Sequence, residues 1–274
     1  MPYVNCKLRS EVLQRKVDIQ MYFPTDLPDE VGYEPKGTLT LLHGYTNSGD
    51  DWVQMSSAAR YCADNALVML CPSCQNSFYQ DSTHGAWKTF VTEEMPMLLS
   101  RSFIFPHERE HNYIAGLSMG GYGALYLGLS RPDLYAGCAS FSGAVDVSML
   151  VDMYAGSPAA KEFYEVFNTT DGTLSDDSNI YCLLERVSKL PENQQPKIFL
   201  SNGLQDIPVY NIKGQNDALW SKAKDMPLAH IKRMEWDGVH EWNFWDRSLV
   251  YALDYFLENG YADKKHGDWT AEVY

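Results

Sequence analysis

The sequence predicts an α/β fold with a mainly parallel central sheet and helices on both faces, and three observations carry that expectation. Five continuous apolar runs of strand length recur between residues 39 and 203, helix-like segments fall between them, and one run ends in a glycine-flanked serine where a helix begins. Continuous apolar runs suit strands covered on both faces. Strands alternating with helices call for parallel pairing through right-handed crossovers.

The elements follow in order. YVNCKLRS and KVDIQMYFP open the chain, the second partly alternating apolar and polar residues, which reads as a hairpin at a sheet edge. LTLLHG (39–44), ALVMLCP (66–72), NYIAGLS (112–118), YAGCASFSG (135–143) and KIFLSNG (197–203) are the covered strands, and LAHIKRMEW is one more. GDDWVQMSSAARYCADNA, WKTFVTEEMPMLLSRSF, MGGYGALYLGL and ALWSKAKDM are the helical segments between them. The last helix is clearest, with Trp242, Trp245, Leu249, Ala252 and Phe256 on one face and Gly260 as the stop. Between about 144 and 195 the alternation breaks. Connections of that length are usually functional, so a lid or cap insertion is expected within a single domain spanning 1–274.

Composition narrows the function. The chain has 274 residues, 45% hydrophobic and 21% charged, which is ordinary for a globular protein with a sizeable core. Its formal net charge of -14 repels phosphate backbones and anionic lipid, so neither nucleic acid nor a membrane surface is an expected partner. The first residues lack a basic stretch followed by an apolar one, and no segment approaches a membrane span, which predicts a cytoplasmic protein. In that compartment the six cysteines are expected to be reduced thiols. Cys71 and Cys74 form a C-x-x-C, but no second ligand pair follows and no helix opens there, so neither a metal nor a redox role is expected. A homo-oligomer is compatible with the sequence.

The chemistry centres on Gly116-Leu117-Ser118-Met119-Gly120, a G-x-S-x-G with a strand before it and a helix after it. So tight a turn leaves its flanking positions almost no room for side chains, hence the glycines; Gly121 and Gly123 are read as loosening the turn that follows. A serine hydroxyl needs a base, and the base needs an orienting acid. In this kind of fold the chain order is serine, acid, histidine. His240 sits in WDGVHEWNFW at the carboxyl end of a strand, where ligand chemistry collects. His230 falls inside the strand-like run and His266 in a polar tail, so His240 is the expected base. Asp206, after KIFLSNG, is the expected acid, with Asp146 as the main competitor and Asp237 as a lesser one. Two N–H groups must meet the developing oxyanion, and Met119 with Tyr45 of LLHGYTNSGDDW are the expected donors. His43 in that turn is read as holding the loop.

Together LLHGYTNSGDDW, GLSMGGYGAL, RPDLYAG, SFSG, NGLQD and HEWNFWDRSL resemble the esterase D-like branch of the α/β-hydrolases, which includes tributyrin esterases and S-formylglutathione hydrolases. The resemblance runs from about residue 8 to 259. It implies an α/β-hydrolase fold, no cofactor, Ser118 as nucleophile with Asp206 and His240 as its partners, and Tyr45 and Met119 as oxyanion donors. The acid block departs from the family: it reads NGLQDIPV where relatives often have a shorter C-G-x-x-D-like start.

The expected function is a serine carboxylesterase acting on short-chain or small-alcohol esters, with a small-molecule ester as its partner. Phe78, Tyr79, His84 and Trp87, in the polar and aromatic stretch NSFYQDSTHGAWKTF, and Trp242 are candidate substrate contacts. Trp242 and Trp245 also suit anchoring the last helix, as their spacing shows. Fold and triad do not set specificity, so a carbohydrate-directed acetyl or feruloyl esterase, an S-formylglutathione thioesterase and an acyltransferase stand as alternatives. A catalytically silent binding module would have no use for all three of Ser118, Asp206 and His240.

Overall fold

The computed structural model describes residues 2–25, 34–154, 156–206, 210–265 and 272–273. His266, and the Ile-Pro-Val that follows Asp206, lie outside them. The strands are β1 (Tyr3–Ser10), β2 (Arg15–Tyr22), β3 (Gly37–Leu42), β4 (Leu67–Pro72), the two-residue pair β5 (Asp81–Ser82) and β6 (Gly85–Ala86), β7 (Asn112–Leu117), β8 (Gly137–Phe141), β9 (Lys197–Gly203), β10 (Ile231–Trp236) and β11 (Glu272–Val273). Nine of them form one sheet in the order β1-β2-β4-β3-β7-β8-β9-β10-β11. Neighbours from β4 to β10 run parallel, whereas β1, β2 and β11 pair antiparallel at the edges.

Burial explains the two kinds of strand. β3, β4, β7 and β8 are buried almost throughout, as expected for strands covered by helices on both sides, whereas β1 alternates between exposed and half-buried residues as an edge strand does. The helices are α1 (Gly49–Met55), α2 (Ala58–Asp64), α3 (Trp87–Thr89), α4 (Met95–Leu99), α5 (Met119–Ser130), α6 (Val147–Met153), α7 (Pro158–Val166), α8 (Ile180–Val187), α9 (Ile212–Ala223), α10 (Trp242–Leu257) and α11 (Tyr261–Lys265). Residues of α1, α2, α10 and α11 build the core on one face of the sheet, while α3 to α9 contribute to the core on the other.

Local chemistry shifts several boundaries from those the sequence suggests. GDDWVQMSSAARYCADNA splits into α1 and α2 because Ser56 is extended, at φ −136°, and its hydroxyl bonds back to Trp52 C=O. WKTFVTEEMPMLLSRSF is helical only as far as Leu99, and Phe90–Glu94 between α3 and α4 is a π-helical turn. Pro96 supplies the reason: it has no N–H to donate, and the register slips so that Met95 N–H reaches Phe90 C=O. α10 stops at Glu258, which takes the left-handed conformation at φ 51°, two residues before Gly260.

From α6 to α8 the chain occupies the long connection between β8 and β9, so the irregular stretch contains, among its described residues, three α-helices and a short 3-10 turn at Glu192–Gln194. β3, β7, β9 and β10 all point the same way. The residues that follow them, from Tyr45, Ser118, Asp206 and His240 onward, therefore gather at one rim of the sheet.

Candidate active site

Ser118 links β7 directly to α5 and holds φ 54°, ψ −115°, a conformation L-residues rarely adopt. The fold overdetermines it: Ser118 N–H donates to Phe141 C=O at 2.9 Å, and Ser118 C=O accepts from Tyr122 and Ala144 N–H at 3.1 Å each. A side chain at Gly116 would put its Cβ 2.3 Å from Gly120 C=O, and one at Gly120 would come within 2.2 Å of Leu42 C=O. Both contacts are with backbone that cannot move aside. Gly123 has a different reason from the one the sequence suggests. A Cβ there would lie 2.2 Å from the Tyr79 ring, so this glycine admits a close ring contact rather than loosening the helix.

His240 Nδ1 and Asp206 Oδ1 are 3.0 Å apart. The carboxylate is 2% exposed and the imidazole 26%, so the pair runs from the interior outward. Asp206 holds Nδ1, which leaves Nε2 as the nitrogen free to exchange a proton. Trp245 stands edge-on to the imidazole with centroids 4.9 Å apart, fixing the ring's plane. Gln205 ties the two loops together: its backbone N–H donates to Gly238 C=O at 3.1 Å, its side-chain amide to Asp237 Oδ1 at 2.9 Å, and its side-chain oxygen accepts from Gly238 N–H at 2.7 Å.

The competing residues stand elsewhere. Asp146 accepts from the Ser148 hydroxyl and, at 3.2 Å, from Tyr181 Oη, with no contact to an imidazole. Asp237 is bonded to Gln205. His230 lies just ahead of β10, at the opposite end from His240, and faces Glu192 at 3.8 Å.

The loop after β3 is anchored by His43, which is fully buried. Its Nε2 accepts from Cys74 N–H at 2.8 Å, so the proton is on Nδ1, which donates to Gly44 C=O at 2.8 Å. Burial pushes its pKa down to about 4, and the ring is neutral. Tyr79 Oη donates to His43 C=O at 2.8 Å from below. This ladder sets the position of Tyr45, and Thr46 N–H donates to Asn76 Oδ1 at 2.8 Å on the far side of it.

Ser118, Met119, Gly44, Tyr45, His240 and Trp245 wall one cavity of about 330 Å³. Leu150 and Tyr154 of the α6 region, Phe163 of α7 and Phe78 add an apolar and aromatic side to it. Tyr45 Oη donates to Glu162 of α7 at 2.6 Å, and desolvation followed by this carboxylate keeps the phenol protonated.

Of the candidate substrate contacts, Phe78 lines the cavity and four others do not. Tyr79 is fully buried beneath the loop and Trp87 is buried with its indole N–H on His84 C=O; both serve the fold. His84 faces Glu165 at 3.1 Å on the outside of α7. Trp242 packs edge-on against Trp52 and Trp245, as an anchor of α10. Those expectations are corrected accordingly. Leu150, Tyr154 and Phe163 were missed, because they come from the long connection whose path sequence periodicity does not fix. Cys71 and Cys74 are buried free thiols whose pKa values desolvation raises far above normal, and among the described residues no group of three or more potential ligands could hold a metal.

A family model described as "Putative esterase" matches residues 10–256. The chain belongs to this esterase family. An acetyl esterase of Caldicellulosiruptor saccharolyticus is 28% identical over 266 residues, covering 93% of this chain and 98% of that protein. Among solved structures, the substrate-bound fluorophosphonate-binding serine hydrolase F of Staphylococcus aureus matches with a TM-score of 0.76 at 21% identity, covering 93% of this chain and 98% of that one. An S-formylglutathione hydrolase from Agrobacterium tumefaciens matches with a TM-score of 0.74 at 20% identity, covering 92% and 93%. These structures share the α/β-hydrolase fold with the esterase described above. It is a serine carboxylic ester hydrolase. Among the described residues no helix is long and apolar enough to cross a membrane.

Proposed function

We propose that this esterase hydrolyses short-chain acyl esters of small alcohols through an acyl-enzyme on Ser118. The observation that carries the reading is that Ser118 and His240, the latter held by Asp206 at 3.0 Å, line the same small cavity. His240 Nε2 takes the serine proton as Oγ attacks the carbonyl carbon, and Asp206 stabilises the imidazolium and its orientation. The tetrahedral oxyanion is met by the N–H groups of Met119, at the positive end of α5, and of Tyr45, on the loop His43 anchors. The imidazolium then protonates the departing alcohol. Water, deprotonated by His240, releases the acid from Ser118.

A cavity of about 330 Å³ near the low end of ligand-site volumes suits a small acyl and alcohol pair. The acetyl esterase relative supports the same acyl range. Segment 144–195 acts as a cap, since its helices supply one side of the cavity. The six free cysteines and the net charge of -14 support a cytoplasmic protein whose partner is the small ester, not nucleic acid or membrane.

The test is labelling with a fluorophosphonate probe together with a 4-nitrophenyl ester series from acetate to octanoate. Wild type is expected to label and to prefer acetate to butyrate, and Ser118→Ala to do neither. Labelling that survives Ser118→Ala, or unchanged turnover in His240→Ala, refutes the reading.

A further inference from the structure

Among the described residues, two carboxylates are hydrogen-bonded to side chains that line the cavity: Asp206, engaged by His240, and Glu162, engaged by Tyr45. Glu162 of α7 places Oε2 2.6 Å from Tyr45 Oη, and Tyr45 is itself part of the wall. Glu162 is partly exposed, and its helical neighbour Phe163 lines the cavity as well. No lysine or arginine lines the cavity among the described residues. Nearby cations are engaged elsewhere: Lys161 lies 3.5 Å from Glu165, and Lys213 lies 2.9 Å from Asp217 and 3.3 Å from Glu235. Across the molecule the balance is -14, so the global field reinforces the local one.

We propose that Glu162 is a specificity-determining residue that selects esters whose alcohol part is neutral or cationic and turns away those whose alcohol part is anionic. The inference rests on the hydrolase reading above and names the substrate class within it. A cationic alcohol end brought to the Tyr45 side of the cavity gains the field of a carboxylate that forms no ion pair among the described residues. An anionic end meets repulsion there and finds no lysine or arginine to hold it. An alcohol or thiol as large and as acidic as glutathione, with two carboxylates against one ammonium, is thereby disfavoured. Tyr45 donates its hydroxyl to Glu162 and so fixes where the carboxylate stands without neutralising it.

Three acetates differing in the charge of the alcohol test this: acetylcholine, its neutral isostere 3,3-dimethylbutyl acetate, and 4-acetoxybutanoate. The quantity read is the ratio of kcat/KM for the cationic ester to that for the anionic one, which cancels any general loss of activity. Two unit charges held roughly 6 Å apart at an effective dielectric of about 40 change a rate constant on the order of tenfold. Glu162→Gln is therefore expected to lower the ratio on the order of a hundredfold, since a roughly tenfold attraction and a roughly tenfold repulsion disappear together. Glu165→Gln makes the same change in net charge on the same helix, at a carboxylate already facing His84 and Lys161, and is expected to leave the ratio alone. In wild type, added salt should compress the ratio. A ratio equal in wild type and Glu162→Gln, or lowered equally by Glu165→Gln, overturns the assignment of Glu162. Failure of wild type to cleave any of the three, or cleavage of the neutral ester that survives Ser118→Ala, instead overturns the hydrolase reading and the inference with it.

Discussion

His43 makes the stability of this protein depend on pH in a window that can be stated in advance. Its imidazole is fully buried with both nitrogens used, and its pKa is held at about 4 against an ordinary value of 6.5. Above pH 6.5 the ring is neutral in the folded and unfolded chains alike, and it adds no pH dependence. Between 6.5 and about 4 the unfolded chain binds a proton that the folded chain refuses, so stability falls as pH falls. At about 1.4 kcal/mol for each pH unit, the loss across that window reaches about 3 kcal/mol, and it levels off below pH 4. Carboxylates titrate in the same range, so the comparison that isolates His43 is with His43→Gln, which keeps a donor and an acceptor and cannot titrate. Urea unfolding followed by tryptophan fluorescence at pH 7, 5.5 and 4 measures both. His43→Gln is expected to be less stable than wild type at pH 7, and the difference should shrink by about 3 kcal/mol by pH 4. A difference that stays constant with pH would refute the claim that the ring is held neutral by burial.

Further outcomes follow from the same geometry. Asp206→Asn removes the charge that orients His240 and is expected to lower kcat by about 10⁴-fold, while Asp146→Asn should stay within about threefold; steady-state kinetics on 4-nitrophenyl acetate compares them. Gly123→Ala drives a methyl to within 2.2 Å of the Tyr79 ring, whose hydroxyl supports His43, so it should cost about 2–3 kcal/mol and lower Tm by roughly 5–10 °C in calorimetry. Gln205→Ala cuts the side-chain bonds between the acid and base loops. It is expected to reduce kcat about tenfold at nearly constant KM and Tm, because Gln205 is exposed and its effect is on alignment.

The sheet was legible in the sequence because its strands are buried on both faces. Runs such as LTLLHG and NYIAGL have no polar side to confuse the pattern, and the two opening strands showed their edge position by alternation and by polar residues. Helix limits were less legible. GDDWVQMSSAARYCADNA is apolar-periodic throughout, and the break at Ser56 depends on a hydroxyl that competes for Trp52 C=O, a contact that periodicity does not register. The π turn before Pro96 is similar: the proline is visible, but whether it ends the helix or shifts its register depends on what packs around it. β11 has only two residues and makes its pairs with Met234 and Glu235, so no local pattern could announce it.

At the candidate site, the residues that sequence reading could reach are those a fixed backbone delivers. Ser118, Asp206 and His240 each follow a parallel strand by a few residues, and parallel strands in one sheet place their carboxyl ends at one rim whatever the side chains are. The wall of the cavity obeys no such rule. Tyr79 and Phe78 are adjacent and both aromatic, yet both sit at positive φ and point to different fates, one under the loop and one into the cavity. Leu150, Tyr154 and Phe163 of that wall, and Glu162 behind Tyr45, arrive from a connection whose helices are placed by packing rather than by the sheet. On the proposed reading, chemistry on this scaffold is set by strand geometry, while selectivity is set by the segment least readable in advance. Substitutions in α6 and α7 should consequently move substrate preference with little change in reactivity toward a fluorophosphonate, and substitutions in the three strand-end loops should do the reverse.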